Sequence, residues 1–394
     1  MTESLLDFYR RHGISPVRQD IRDLGAHFGR RAALYRHLGI LPGFLRGRKV
    51  LEIGPGSGFN SIYTASLDPS RYVLVEGNPR GVDDIHQLFS SYPALAGRIE
   101  VVCALAEDYE PSELFDFVFC EGMLALAGVP DPAQLLRTVA RHTVAGGVLV
   151  ITCIDAVSQF SEILRRLVAH WLINPAGGLD EHVRQLLPVF SPHLSTLKGM
   201  NRRHDDWIID NLLNPASIGP LLSIADAVAA LDGEFDIFDS SPRFLSDWRW
   251  YKSIAAEDDG FNALMIEAYW SNVHNLLDYR EAGAPRDPGE NRRLYDACLL
   301  TRRAVVDYQR DRDPQIVDVV RTSLDAIQTN VNAFAPRTSR AIAEVRCLLE
   351  RRSLDAADVA ASAAFAPWFG RGQQYLSFSR RSREAEATGD HRDH

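Results

Sequence analysis

Lysine is nearly absent from this chain. It occurs only at Lys49, Lys198 and Lys252, so arginine supplies almost all of the positive charge. Acidic residues still outnumber it, and the formal net charge is −9 at pH 7. Nonspecific nucleic-acid binding relies on neutralising phosphates, so nucleic acid is not an expected partner. No apolar run approaches the ~18 residues of a membrane span, and no membrane partner is expected. The start, Met1-Thr2-Glu3-Ser4, lacks a basic segment ahead of an apolar one, so no secretory signal is expected. Cysteine is sparse: five residues, odd in number, with no C-x-x-C spacing. This argues against a disulfide framework or a thiolate zinc site and fits free thiols in a reducing cytoplasm, the expected location. No internal repeat is visible.

What is present is enough apolar residue, 46% of 394, for a sizeable core. From Lys49 onward, short apolar runs alternate with helical patterns. Strands are expected near 49–54, 72–76, 98–103, 115–120 and 147–153, with helices near 58–67, 80–92 and 131–142. That alternation implies a mostly parallel sheet. The most informative segment is Val50-Leu51-Glu52-Ile53-Gly54-Pro55-Gly56-Ser57-Gly58. A strand runs into three glycines at alternate positions, where a ligand can lie against the main chain. A second strand, Tyr72-Val73-Leu74-Val75, ends in Glu76, placed to hold ribose hydroxyls. The dinucleotide pattern G-x-G-x-x-G would need its third glycine at position 59, which is Phe59. That departure argues against NAD.

Glu52 through Gly58 resembles motif I of the class I S-adenosylmethionine (SAM)-dependent methyltransferases. Further segments are similar in order and spacing: Val101–Glu107 to the third strand and adenine loop, Phe115–Glu121 to the fourth strand, and Ala145–Thr152 to the fifth. The resemblance covers roughly residues 49–153. It implies a Rossmann-like, mostly parallel seven-stranded α/β sheet with SAM as cofactor. By position it implies that Glu52, Gly54, Gly56, Gly58, Glu76, Ala106, Glu107 and Cys120 contact that cofactor. Leu105 stands where the adenine loop often carries Asp, which shifts adenine recognition toward the backbone near Ala106 and toward Glu107.

The remainder reads as helical additions. The expected organisation is an N-terminal helical cap (1–48), the SAM-binding core (49–155), a helical insertion (156–231), strand six (232–243), a second helical insertion (244–368), the last strand (369–380) and a disordered tail (381–394). Strands six and seven form an antiparallel pair in the family, so the chain is expected to return to the sheet at its end.

Candidates for acceptor chemistry are less determined. Glu121, at the end of strand four, is a candidate base, and it equally suits holding the cofactor's amino group or making a structural hydrogen bond. His204 is a candidate acid or base in Asn201-Arg202-Arg203-His204-Asp205-Asp206-Trp207, where Asp205 and Asp206 equally suit the first turn of a helix. Cys120 reads as a small buried hydrophobe sooner than a nucleophile. His27 and Tyr35 are substrate candidates by position. So are Arg243 and Trp250, within a cluster that includes Trp248, Arg249 and Tyr251, whose side chains suit stacking and cation–π contact. No metal is expected. The expected activity is methyl transfer to N, O or C of a small or medium-sized acceptor such as a metabolite, natural product or saccharide. Alternatives are an enzyme acting on protein or RNA, or a non-catalytic SAM-binding scaffold. Oligomeric state is undetermined.

Overall fold

A computed structural model describes residues 4–124, 130–250, 252, 260–351 and 353–382. Nearly all of the expected tail, and Tyr251, lie outside the described residues. The strands are β1 (Lys49–Ile53), β2 (Arg71–Glu76), β3 (Ile99–Cys103), β4 (Phe115–Cys120), β5 (Thr143–Cys153), β6 (Phe235–Ser241) and β7 (Gln374–Arg380). They form one sheet in the order β3-β2-β1-β4-β5-β7-β6. The first five pair in parallel. β7 lies antiparallel between β5 and β6. The order reverses between β1 and β4, and a crevice at the carboxyl ends of such strands is where open α/β sheets hold ligands.

Preceding the sheet are α1 (Leu5–His12) and α2 (Leu24–His37). Between the strands lie α3 (Ser61–Ser66), α4 (Pro79–Ser90), α5 (Pro93–Ala96) and α6 (Pro132–Ala140). The segment between β5 and β6 adds α7 (Phe160–Leu172), α8 (Leu179–Leu194), α9 (His204–Ile208) and α10 (Ile224–Leu231). Between β6 and β7 come α11 (Phe261–Asn272), α12 (Pro288–Asp311), α13 (Pro314–Val331), α14 (Pro336–Leu349) and α15 (Ala356–Ala360). Among the described residues no helix is long and apolar enough to cross a membrane.

Strand alternation divides the core. Val50, Tyr72, Leu74, Phe117, Phe119 and Val150 join α2, α3 and α4 on one face. Leu51, Ile53, Val73, Val75, Val118, Leu149 and Ile151 face the helical additions on the other. Successive strand residues point to opposite faces, and both faces are covered, so β1, β2 and β4 read as continuous apolar runs. Within residues 49–153, two boundaries differ from the sequence expectation by more than two residues. The helix expected from 58 starts at Ser61, because Gly58 still belongs to the turn and its carbonyl accepts from Ser61 N at 3.0 Å. β5 begins at Thr143, ahead of Gly146, whose φ of 72° bends the strand. β6, Phe235–Ser241, falls within the expected 232–243, and its Ser241 pairs with Tyr375.

Because β7 is internal to the sheet, its Leu376 and Phe378 are fully buried. Leu376→Ala is expected to cost about 2–5 kcal/mol of stability. A urea denaturation midpoint unchanged from wild type would contradict that placement.

Candidate functional site

The glycine turn follows directly from β1. Gly54, Gly56 and Gly58 all have φ between 61° and 75°, a region that favours glycine. Glu76, at the end of β2, fixes the turn. Its Oε2 accepts from Gly56 N at 2.8 Å, and its Oε1 accepts from Asn78 N at 2.7 Å. Burial pushes this carboxyl up to about 7, against the pull of the Asn78 and Gly56 amides. A Cβ on Gly56 would sit 2.7 Å from the Val17 side chain, so the turn and the N-terminal segment are in close contact.

A cavity of about 540 Å³ opens above this turn. Its floor includes Glu52, Gly54, Gly56 and Glu76, and one end is bounded by Ala104, Leu105, Ala106 and Glu107. Its roof comes from outside the sheet. Leu5, Leu6 and Tyr9 of α1, Val17 and Gln19 of the following segment, and Asn201, Arg202 and Asp210 of the first insertion all line it. The roof is cross-linked. Tyr9 OH donates to Asp210 at 2.5 Å, and Arg202 pairs with the other Asp210 oxygen at 2.6 Å. Burial holds the Tyr9 phenol well above its ordinary range, with Asp210 adding to the effect. Asp210 sits in a π-helical turn (Ile209–Leu213) that continues α9. Arg10 donates to Gly77 O at 2.6 Å, and Asn78 donates to Ile14 O at 3.0 Å.

The far wall is built at the end of β4. Glu121 accepts two bonds from Arg31 Nη1, at 3.1 and 2.9 Å, one from Asn60 at 3.2 Å and one from Tyr375 OH at 2.5 Å. Burial opposes the charge on Arg31, and Glu121 beside it more than restores it, holding the guanidinium above its ordinary value. The rings of Phe119 and Tyr35 lie 5.4 and 5.7 Å from that guanidinium, within cation–π range. Glu52 is buried and accepts from Tyr72 OH. Burial raises it to about 7, opposed by that hydrogen bond.

The structure thus gathers Glu52, Gly54, Gly56, Glu76, Ala106, Glu107 and Glu121 around one cavity. The other candidates lie elsewhere. Cys120 packs with Ile53, Val118 and Ile151 in the core, because its position on β4 points it away from the cavity. Gly58 serves packing, since a Cβ there would meet Ile85 at 3.0 Å. His27 bonds to Phe59 O and Tyr35 to Thr64, beneath the wall instead of on it. His204 opens α9, with Asp205 and Asp206 in the first turn, and is not among the residues that line the cavity. Arg243 is exposed and pairs with Asp239, and Trp250 is exposed beside Lys252. Tyr9, Asp210, Arg31 and Tyr375 were not visible as site residues in the sequence, and Arg202 was read only as part of the segment around His204. Their partners are remote along the chain, and no local spacing announces them.

Residues 51–151 match a family model described as a methyltransferase domain. Among curated proteins, the chain is similar to Ribosomal RNA small subunit methyltransferase A of Rhodopseudomonas palustris (strain BisB18), at 31% identity over 110 residues, 28% of this chain and 36% of that protein. It is also similar to Ribosomal RNA small subunit methyltransferase G of Methylococcus capsulatus, at 28% identity over 149 residues, 37% of this chain and 69% of that protein. The chain therefore spans little more than a third of the first relative's length. Among solved structures, PKMT2 from Rickettsia typhi in complex with AdoHcy is similar at 14% identity with a TM-score of 0.43, over 62% of this chain and 49% of that one. Sheet order, glycine turn and family model together make residues 51–151 a class I SAM-dependent methyltransferase domain. The cofactor of that family is S-adenosylmethionine, and the residues here fit it. The glycine turn offers bare backbone beneath the cavity, and Glu76 keeps acceptor capacity beyond its amide bonds, since each carboxylate oxygen has two acceptor positions.

Arg31→Met would leave Glu121 without its cation, at an expected cost of about 3–5 kcal/mol. The double variant Arg31→Met/Glu121→Gln should recover most of that loss. Equal stability of single and double variants in chemical denaturation would show that the pair does not act as a unit.

Proposed function

We propose that the protein is a SAM-dependent methyltransferase whose acceptor is a small or medium-sized molecule taken into the roofed cavity. The observation that carries this reading is the roof itself: α1 and the first insertion close over the glycine turn through the Tyr9–Asp210–Arg202 cluster. A volume of about 540 Å³ lies within the usual range of small-molecule sites. When bound there, the cofactor supplies an activated methyl group on sulfonium sulfur. The chain contributes position and exclusion of water. Gly54 and Gly56 give close backbone approach, and Glu76 grips the ribose hydroxyls. Ala106 and Glu107 bound the adenine end. Glu121, Asn60 and Tyr375 form the rigid wall at the end of β4, where the acceptor is aligned. Such alignment supplies most of the rate gain when the electrophile is already activated.

The curated relatives carry names of ribosomal RNA methyltransferases, but their matches cover less than half of this chain. A polyanionic acceptor is also disfavoured by the cavity wall, which holds Glu52, Glu76, Glu107, Glu121 and Asp210 against Arg202 alone.

Calorimetric titration with S-adenosylhomocysteine is expected to show binding, with none for NAD in parallel. Folded protein that binds NAD instead, or neither, would overturn the cofactor reading. Glu76→Ala should weaken binding by about 1.5–3 kcal/mol. The raised carboxyl also gives a pH signature. Its ionised form is the better acceptor for ribose hydroxyls, so affinity should rise as pH increases through about 7. Glu76→Gln should flatten that rise.

A further inference from the structure

The charges around the cavity are unevenly compensated. Arg202 pairs with Asp210, and Arg31 stands behind Glu121. Among the described residues, no ion pair joins Glu52, Glu76 or Glu107 to a cation. The cofactor brings one net positive charge, from a sulfonium and an ammonium against a carboxylate. Glu52 and Glu76, raised to about 7 by burial, are only partly ionised at neutral pH, but together with Glu107 they still leave the cavity an excess of negative charge with the cofactor in place. Glu52 and Glu76 are buried and Glu107 is exposed at the cavity's end, and in this partly enclosed site the excess attracts a cationic co-ligand and repels an anionic one.

The lining also limits which acceptor atom can be activated. No histidine, lysine or cysteine lines the cavity among the described residues. Its two phenols, Tyr9 and Tyr375, each donate to a carboxylate, Asp210 and Glu121 respectively. Proton acceptors on the wall are thus carboxylates. A carboxylate is a poor match for an alcohol, whose acidity resembles that of water, near 15.7. It is much closer to an alkylammonium, at about 10.4 as for lysine. A phenol has similar acidity to the ammonium, but its deprotonated form is an anion and meets the acidic wall. Deprotonating an ammonium gives a neutral nucleophile, and methyl transfer then returns a cation that the same carboxylates stabilise.

Resting on the methyltransferase reading, we infer that the acceptor is an amine, drawn in as a cation and methylated on nitrogen beside Glu121. The ammonium proton passes to a wall carboxylate or to water. The nitrogen lone pair forms the new N–C bond while the S–C bond breaks, and its electron pair returns to sulfur as the thioether. Glu121 suits this place because Arg31, Asn60 and Tyr375 fix its position while it still lines the cavity.

The test uses the full chain saturated with S-adenosylhomocysteine and three probes of one shape: cyclohexylmethylamine, cyclohexylmethanol and cyclohexanecarboxylate. Binding is read by ligand-observed NMR and calorimetry. The amine should bind at least about tenfold more tightly than the carboxylate, with the alcohol between them. Added salt should narrow the difference. Glu121→Gln, checked for folding by thermal melt, should reduce amine binding while S-adenosylhomocysteine binding persists. If that variant fails to fold, the wild-type probe comparison still decides. Cofactor-product binding with carboxylate bound as tightly as amine overturns this inference and leaves the methyltransferase reading standing. No binding of S-adenosylhomocysteine at all overturns both.

Discussion

One carboxylate holds the cofactor side of this molecule together. Glu76 receives the amide of Gly56 on one oxygen and that of Asn78 on the other. It thereby ties the turn after β1 to the turn after β2, across the point where a ligand enters the sheet. Charge in that position is costly, and burial raises its pKa accordingly. Two backbone donors make the cost tolerable, because a carboxylate that accepts amide hydrogen bonds is partly compensated. Gly81 must stay bare for the same reason: a Cβ there would sit 2.9 Å from Gly56 O and 3.0 Å from Glu76 Cγ.

Around this fixed turn, the parts that make the cavity specific to this chain come from far away. The roof joins residues 9, 202 and 210, and the wall joins residues 31, 121 and 375. Both clusters use the same device, a carboxylate shared between an arginine and a tyrosine hydroxyl. In each, charge and hydrogen bonding compensate groups that would be expensive to bury alone. The core supplies the cofactor platform, and the helical additions close the space above it.

How much of this was legible in the sequence follows from distance along the chain. Gly54, Gly56 and Gly58 with Glu52 form a local pattern, and a strand ending at Glu76 follows within a single βα unit. Backbone requirements of that kind are written in neighbouring residues. The sheet was legible because buried parallel strands are continuous apolar runs bounded by turns. The roof was not. Nothing near Tyr9 signals Asp210, which reaches the cavity through a π-helical turn that periodicity does not reveal. Cys120 and His204 drew attention by chemical type, but strand alternation turned one into the core and helix position kept the other off the cavity. Arg31 drew no attention as a site residue, yet it is buried and paired with Glu121.

The place of β7 has a consequence for how the chain reaches its native state. Its two neighbours, β5 and β6, are complete by Ser241, yet the strand that belongs between them begins only at Gln374. During synthesis from the N-terminus, the cofactor half of the sheet can assemble while the β5 edge still lacks its partner. Unpaired edges of this kind invite association with other strands. Several of the helices made in the interval pack on the same apolar face as β5, which leaves the edge itself to be closed by the last strand. Closure of the sheet is a late, long-range event, and such contacts form slowly.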